Sequence, residues 1–334
     1  MLLTTEERRE GIGGSDVGSI MGANPYCSII KCYKEKMGEI PPPELNYAME
    51  WGSILEDVVG KKYAEDNNIH FHGGSLVKEA PDYPVSRSGV MYEPDTQRSD
   101  KHNWAYAHPD FYISDKDGDI TGVEIKTVGE GIYNKYWAAG DIPPWQYYQV
   151  VWYSMVTKIN KWILVGFAPH LRSHTDPMFT HEIEIDMDTQ LKVWGKVKSF
   201  WDCVQDNTVP ELTEPTESDV KLLYPESNAE TVPTSPEIEG KCNKLKEVRA
   251  AIKTLSEEEE ALKNQVKYYM GNCGILVSSE GKAMATYKSP KARVSVDNKG
   301  MLKDLKEKVG LLEYGKIEDL NTKAFVLSRR FLLK

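Results

Sequence analysis

The 334-residue chain is poor in cysteine: it has five, at 27, 32, 203, 242 and 273, and no CxxC pair. A disulfide framework is therefore not expected, and a reduced, cytoplasmic protein is. No apolar run approaches the ~18–20 residues of a membrane helix. The opening MLLTTEERREG turns charged at once, so neither a membrane span nor a signal peptide is expected. No internal repeat is visible. A basic excess is missing too: 41 Lys and Arg stand against 51 Asp and Glu, a formal net charge of −10. Phosphate binders usually leave a basic footprint, so this balance argues at first against a nucleic-acid partner.

With 40% apolar and 28% charged residues, the composition is that of a folded globular protein with a sizeable core. Charge is unevenly spread. Residues 1–210 hold 20 basic and 31 acidic side chains, 211–270 hold 8 and 13, and 271–334 hold 13 and 7. These segments net −11, −5 and +6, so the end of the chain is basic. Between Pro210 and Pro236 five prolines lie among Ser, Thr and Glu, which reads as a linker. The expected division is a domain over 1–210, a Pro-rich linker over 211–238 and an extension over 239–334.

Periodicity predicts mostly helices first and then strands. A Gly13-Gly14-Ser15 turn leads into a short helix through Ile20, with Ser15 as the expected N-cap. Helices follow at 28–37 and 47–67, the second with Trp51, Leu55, Val58, Val59 and Tyr63 as its apolar face. Strands are expected at 76–78, 104–108, 111–114, 120–128, 161–168 and 178–185, and further helices at 144–157 and 187–205. Helices flanking a central run of strands suggest an α/β or α+β sandwich. In the extension, Leu245, Val248, Ile252, Leu255, Leu262 and Val266 form the stripe of a long amphipathic helix. A β-hairpin near 275–288, a short helix near 299–308 and a basic Ser328-Arg329-Arg330-Phe331 end complete it.

The densest chemistry lies between Ala107 and Thr127. On a strand over 120–128, alternation puts Glu124 and Lys126 on one face, while Val123, Ile125 and Val128 supply a core face. An acid and an amine two residues apart on an otherwise apolar strand are costly to bury unless paired or bound to metal. A short hairpin would bring Asp110 beside Glu124. Two convergent carboxylates suit Mg²⁺, with Mn²⁺ as a substitute. Lys126 beside them could orient a metal-bound water and offset developing negative charge, the requirements of phosphodiester hydrolysis. The plainer alternative is a solvated sheet edge carrying an ordinary Glu–Lys pair.

Pro109-Asp110 followed by Glu124-Ile125-Lys126 resembles the signature of the PD-(D/E)XK nuclease superfamily. Arg8–Tyr26 (RREGIGGSDVGSIMGANPY), Trp51–Glu56 (WGSILE) and Pro143–Thr157 (PPWQYYQVVWYSMVT) resemble, in order and spacing, the motifs of YqaJ-type phage recombinases, relatives of lambda exonuclease. The likeness covers about 200 residues; TYKSP near 286–290, VDNKG near 296–300 and the final SRRF extend it into the tail. It implies a restriction-endonuclease-like α/β (α+β) core with a central mixed sheet flanked by helices, and a Mg²⁺-dependent 5′→3′ exonuclease on linear double-stranded DNA, leaving 3′ overhangs for annealing. Glu56, Asp110 and Glu124, with the carbonyl of Ile125, would bind metal, and Lys126 would position the nucleophile. Gln149 matches a motif glutamine. Arg8 (or its neighbour Arg9) and Ser15 would hold the 5′-phosphate. Arginine offers phosphate a two-pronged donor, and a hydroxyl beside free N–H groups completes an anion site. The resemblance further implies double-stranded DNA ends as substrate, a single-strand annealing protein as partner, a trimeric ring, and a phage or prophage gene expressed in a bacterial cytoplasm. Two rival readings are an endonuclease of the same superfamily and a non-catalytic DNA-binding adaptor.

Other residues carry weaker signals. His70 and His72 have ligand spacing but lack a third soft ligand nearby, so they read as exposed histidines on a strand, and the cysteines lack the grouping of an iron–sulfur cluster. His108 is close enough in sequence to line the site. Tyr136 and Trp137 are candidates for stacking on DNA bases.

Overall fold

The computed structural model describes residues 4–42, 46–75, 89–171, 176–228 and 230–288, together with Glu307. It has two compact units, Met1–Tyr224 and Pro225–Lys334. The first begins with four helices: α1 (Thr5–Arg9), α2 (Gly14–Ile20), α3 (Ile29–Lys36) and α4 (Tyr47–Asp66). Strands β1 (His70–Ser75), β2 (Gly89–Glu93), β3 (Gln97–Arg98), β4 (Tyr106–Ala107), β5 (Phe111–Asp115) and β6 (Ile120–Thr127) follow. Next come α5 (Glu130–Lys135), α6 (Pro144–Thr157), β7 (Lys161–Phe167), β8 (Met178–Glu184), α7 (Met187–Gln205) and α8 (Glu217–Leu223).

Six strands form one sheet in the order β1-β2-β5-β6-β7-β8. The β1–β2 and β6–β7 pairs are parallel; β2–β5, β5–β6 and β7–β8 are antiparallel. This is the mixed α/β sheet flanked by helices that the sequence predicts. One core cluster gathers α2, α6 and α7, with Trp152, Trp162, Phe200 and Trp201 buried in it. A second packs Val59, Tyr63 and Ala64 of α4 on Phe111, Val123 and Ile125. Alternation along β6 therefore does what the pattern requires: Val123 and Ile125 enter the α4 cluster, and Glu124 points the other way.

Two glycines set the approach of the helices that matter. A Cβ on Gly60 would lie 2.7 Å from the Phe111 ring, so its absence lets α4 sit directly on the sheet. A Cβ on Gly14 would lie 2.4 Å from Tyr153 Cε1 and 2.9 Å from Gln149 Cγ, so α2 and α6 meet there almost backbone to side chain.

Three expectations need correction. Helix α2 starts at Gly14 with Gly13 as its N-cap, and Asp16 accepts the Gly13 N–H at 2.9 Å. Ser15 is thus inside the first turn and exposed, not a cap. On α4, Val59 and Tyr63 face the core, but Trp51 and Val58 are 57% and 59% exposed. Those two lie on the far side of the helix, because the sheet selects the face that carries Val59, Gly60 and Tyr63. Trp137 is buried under Gly166 and His181, so it is core and not a base-stacking platform. Strand β2 lies where no strand was predicted; its consecutive Val90, Met91 and Tyr92 give no alternation. The strand expected at 76–78, the helix near 299–308 (Glu307 apart) and the SRRF end lie outside the described residues.

Within 211–238, read as a linker, the structure has α8. Its Thr216 N-cap and Asp219 form a reciprocal capping box, and Asp219 is buried. The second unit contains α9 (Pro236–Met270), 35 residues long, and the hairpin β9 (Ile275–Val277) and β10 (Ala283–Thr286).

Candidate active site

The register of β5 on β6 pairs Phe111 with Val123, which places Asp110, one residue before β5, beside Glu124. Asp110 Oδ2 accepts the Ile125 N–H at 2.6 Å. Glu124 is 1% exposed, and its Oε1 accepts two donors: Lys126 Nζ at 2.5 Å and Gln149 Nε2 at 2.6 Å. Its Oε2 is buried with no hydrogen-bond partner. Gln149, from the middle of α6, also donates to Tyr153 Oη at 2.9 Å, and the Tyr153 hydroxyl donates to the His108 carbonyl at 3.0 Å. Strand, helix and the Pro109 turn are thus locked around one carboxylate.

Glu56 lies one turn before Gly60 on α4, and the approach Gly60 permits brings its charge within range of Asp110. Burial, then repulsion from Asp110, lifts the Glu56 carboxyl to about 7. Burial and repulsion from Glu124 lift Asp110 to about 8. Glu124 is raised as well, chiefly by burial, although Lys126 opposes the shift. For Lys126 burial pulls downward, but attraction from Glu124, Asp110 and Glu56 outweighs it and the ammonium is held above its ordinary value. Three carboxylates share one ammonium, a charge deficit that a hard cation would relieve.

The residues fit such an ion by their chemistry: the donors are all oxygen, and Glu124 Oε2 is a buried acceptor without a donor. Among the described residues, however, no three His, Cys, Asp or Glu side chains are already gathered as a metal cage. His70 and His72 point to one face of β1 and are not part of such a group either.

A cavity of about 130 Å³ shares Tyr153 and His108 with this network and is lined by Arg8, Gly13, Gly14, Ser15, Tyr106, His108 and Tyr153. Tyr153 is common to both: its ring is under Gly14 and its hydroxyl bonds to Gln149. Arg8 faces this cavity and Arg9 does not; the Arg9 guanidinium lies against Gly38, 3.5 Å from where a Cβ would be, and lines a larger neighbouring cavity together with Arg8 and Ser15. His108 accepts or donates at Nδ1 with Thr96 Oγ1, 3.0 Å away, and burial lowers its pKa. Tyr136 sits apart, edge-on to Trp145 in a groove with Tyr26 and Lys135.

Sequence reasoning missed Lys36 and Asp16. Lys36 Nζ, on a side chain only 6% exposed, donates to the carbonyls of Arg8 (2.7 Å) and Gly11 (2.8 Å) and to Asp16 Oδ2 (2.6 Å). It ties α3 to both ends of the segment that presents Arg8 and Ser15. In the sequence Lys36 is one of three lysines in a short charged helix, and nothing local separates it from its neighbours.

A carboxylate cluster with a half-buried lysine on one strand of a mixed sheet thus lies beside an arginine-lined cavity. Residues 5–160 match the model of the YqaJ-like viral recombinase domain, which bears out the resemblance read from the motifs. The chain is 26% identical over 275 residues to the uncharacterized protein YqaJ of Bacillus subtilis (strain 168), an alignment covering 79% of this chain and 76% of that one. Among solved structures it is similar to an alkaline exonuclease, LHK-Exo, from Laribacter hongkongensis, at 17% identity and a TM-score of 0.46, over 60% of this chain and 90% of that one. A phage-related exonuclease from Haemophilus somnus 129PT matches at 11% identity and a TM-score of 0.37, over 59% and 96% of the two chains. No described helix is long and apolar enough to cross a membrane.

Proposed function

We propose that the first unit is a metal-dependent exonuclease that degrades linear double-stranded DNA from its 5′ ends and leaves 3′ overhangs for recombination by strand annealing. The observation that carries the reading is Glu124: a carboxylate fully buried beside Asp110 and Glu56, with Lys126 and Gln149 on one oxygen and nothing on the other. Glu56, Asp110 and Glu124, with the Ile125 carbonyl, would hold Mg²⁺ or Mn²⁺. When bound, the ion supplies Lewis acidity and lowers the pKa of water. Lys126 orients the attacking water and offsets charge building on the phosphate. Gln149 fixes the Glu124 carboxylate so that Oε2 keeps its direction.

End recognition rests on the adjoining cavity. Arg8 there offers a two-pronged donor to a terminal phosphate, and Ser15 adds a hydroxyl from the first turn of α2. Tyr153, shared by cavity and cluster, sets the spacing between held end and cleaved bond. The trimeric ring and the annealing partner implied by the resemblance belong to the same proposal. The acidic surface elsewhere limits non-specific contact, so a net charge of −10 is compatible with a DNA substrate.

The test is a digestion time course on linear duplex labelled at either end, with and without Mg²⁺, alongside covalently closed circular DNA. Loss of the 5′ label first, only with metal, and an intact circle are expected. Rapid cutting of the circle would make this an endonuclease, and binding without cutting would make it an adaptor.

A further inference from the structure

Helix α9 presents a surface that the site does not use. At 35 residues it is about 52 Å long at 1.5 Å per residue. Its apolar residues keep a seven-residue repeat: Ile238, Leu245, Ile252 and Val266 at one heptad position, Val248, Leu255, Leu262 and Tyr269 at the other. These are a and d positions, the narrow seam of a two-stranded coiled coil, not the broader face of a helix packed on a domain. The seam is open among the described residues: Ile252, Leu255 and Leu262 are 57%, 63% and 54% exposed.

Two seam positions are charged, and they identify the occupant. Lys241 takes the d position of the first heptad and Glu259 the a position of the fourth. In a parallel, in-register pair each would meet its own copy, Lys241 on Lys241 and Glu259 on Glu259, and Lys244 would flank Arg249. Like charges at seam layers oppose association. In an antiparallel pair a faces d, and one register aligns every seam residue from Ile238 to Leu262: Ile238 on Leu262, Lys241 on Glu259, Leu245 on Leu255 and Val248 on Ile252, with Val266 and Tyr269 extending past the start of the partner helix. On one flank, Lys244 then faces Glu258 and Ala251 meets its own copy at the two-fold axis. Arg249, self-facing on the other flank, is the single like-charge contact. It is solvent-exposed, where a long side chain can splay.

We propose that α9 is a self-association element that pairs with α9 of a second copy of this chain as an antiparallel coiled coil in this register. Within one helix Lys241 pairs with Glu237 at 2.6 Å and Glu259 with Lys263 at 2.7 Å. Both pairs are exposed, and such pairs are weak enough to be exchanged for a contact across the seam. The element lies outside the matched residues 5–160, so its role is independent of the chemistry there, and in a three-fold assembly such two-fold pairs join copies from different rings.

The test uses the full chain with Cys242 and Cys273 replaced by serine. Ala251→Cys in that background should form a covalent dimer under mild oxidation, because the two copies of residue 251 meet at the axis. Leu255→Cys should not, because its two copies stand about 15 Å apart along the seam. Lys241→Glu added to Ala251→Cys should slow cross-linking roughly tenfold, on the order of one opposed charge pair in the seam, and Lys241→Glu with Glu259→Lys should restore it. Cross-linking at 255 instead of 251 would mean a parallel pair. No cross-linking at either, or a double swap that fails to restore the rate, would mean the seam is covered by something other than a second α9. Each of these results overturns the proposal.

Discussion

Gln149 and Lys126 donate to the same oxygen of Glu124, at 2.6 and 2.5 Å, and leave the other oxygen buried and bare. Two donors on one oxygen hold a carboxylate rigidly while sparing a lone-pair direction for a ligand.

Removing the lysine should separate chemistry from binding. Lys126→Ala is expected to lower DNA hydrolysis by at least ~10²-fold, the range of a lost acid–base or electrostatic group. Affinity for duplex ends, measured by anisotropy in Ca²⁺, should change little. Wild-type turnover by the variant would rule out the assigned site.

Arg8→Ala should act on the end and not on the bond. The expected outcome is loss of the preference for 5′-phosphorylated over 5′-hydroxyl duplex, with the rate on 5′-hydroxyl ends nearly unchanged. Arg9→Ala should leave the preference intact, since Arg9 lies against Gly38. Equal losses on both kinds of end would count against the pocket.

Lys36→Met tests the residue that the sequence did not single out. It strands two carbonyls and the Asp16 carboxylate at a mostly buried site, so a destabilisation of about 2–4 kcal/mol is expected. Thermal unfolding measures that cost. At temperatures where the variant is folded, KM for phosphorylated ends should rise more than kcat falls, because the Arg8 segment is loosened and the carboxylate cluster is not. A pure kcat effect would place its role elsewhere.

The carboxylates predict a pH dependence in metal-free buffer. Asp110 is raised to about 8 and Glu56 to about 7, against ~4 for each in the unfolded chain. Between about pH 4 and 8 the folded state therefore binds more protons than the unfolded one, and stability falls as pH rises. The contribution is complete below the unfolded values and lost as pH passes through the folded ones. Asp110→Asn removes the dependence at that site. With chelator at pH 8.5 it should melt a few degrees above wild type, on the order of 1 kcal/mol, and the gap should close near pH 5. Equal slopes for the two proteins between pH 5 and 9 would contradict the raised carboxyl.

Gly14→Ala tests the helix contact. Its Cβ would need space held by Tyr153 and Gln149, 2.4 and 2.9 Å away, so α2 must shift off α6. A stability loss of about 1–3 kcal/mol is expected, with a larger proportional loss of activity than of affinity for DNA. Unchanged melting and turnover would show that the contact yields freely.

The sequence alone determined the mixed α/β class, the helices at 144–157 and 187–205, and the strands on either side of the Asp115–Asp119 turn. Those segments have strong 3.6- or 2-residue periods and clear turn residues, which local physics reads directly. It also placed Glu124 and Lys126 on one face, because alternation on a strand needs no partner to be known. The approach of Asp110 followed from a hairpin, again a local matter. Only the tertiary structure decided the rest. Which face of α4 is buried depends on Gly60 meeting Phe111, so Trp51 and Val58 were misjudged from the helix alone. Whether Arg8 or Arg9 enters the cavity depends on where α3 ends, and the part played by Lys36 depends on three chain segments meeting around one ammonium. Such long-range contacts leave no period in the sequence; they exist only once packing has chosen which neighbours each side chain has.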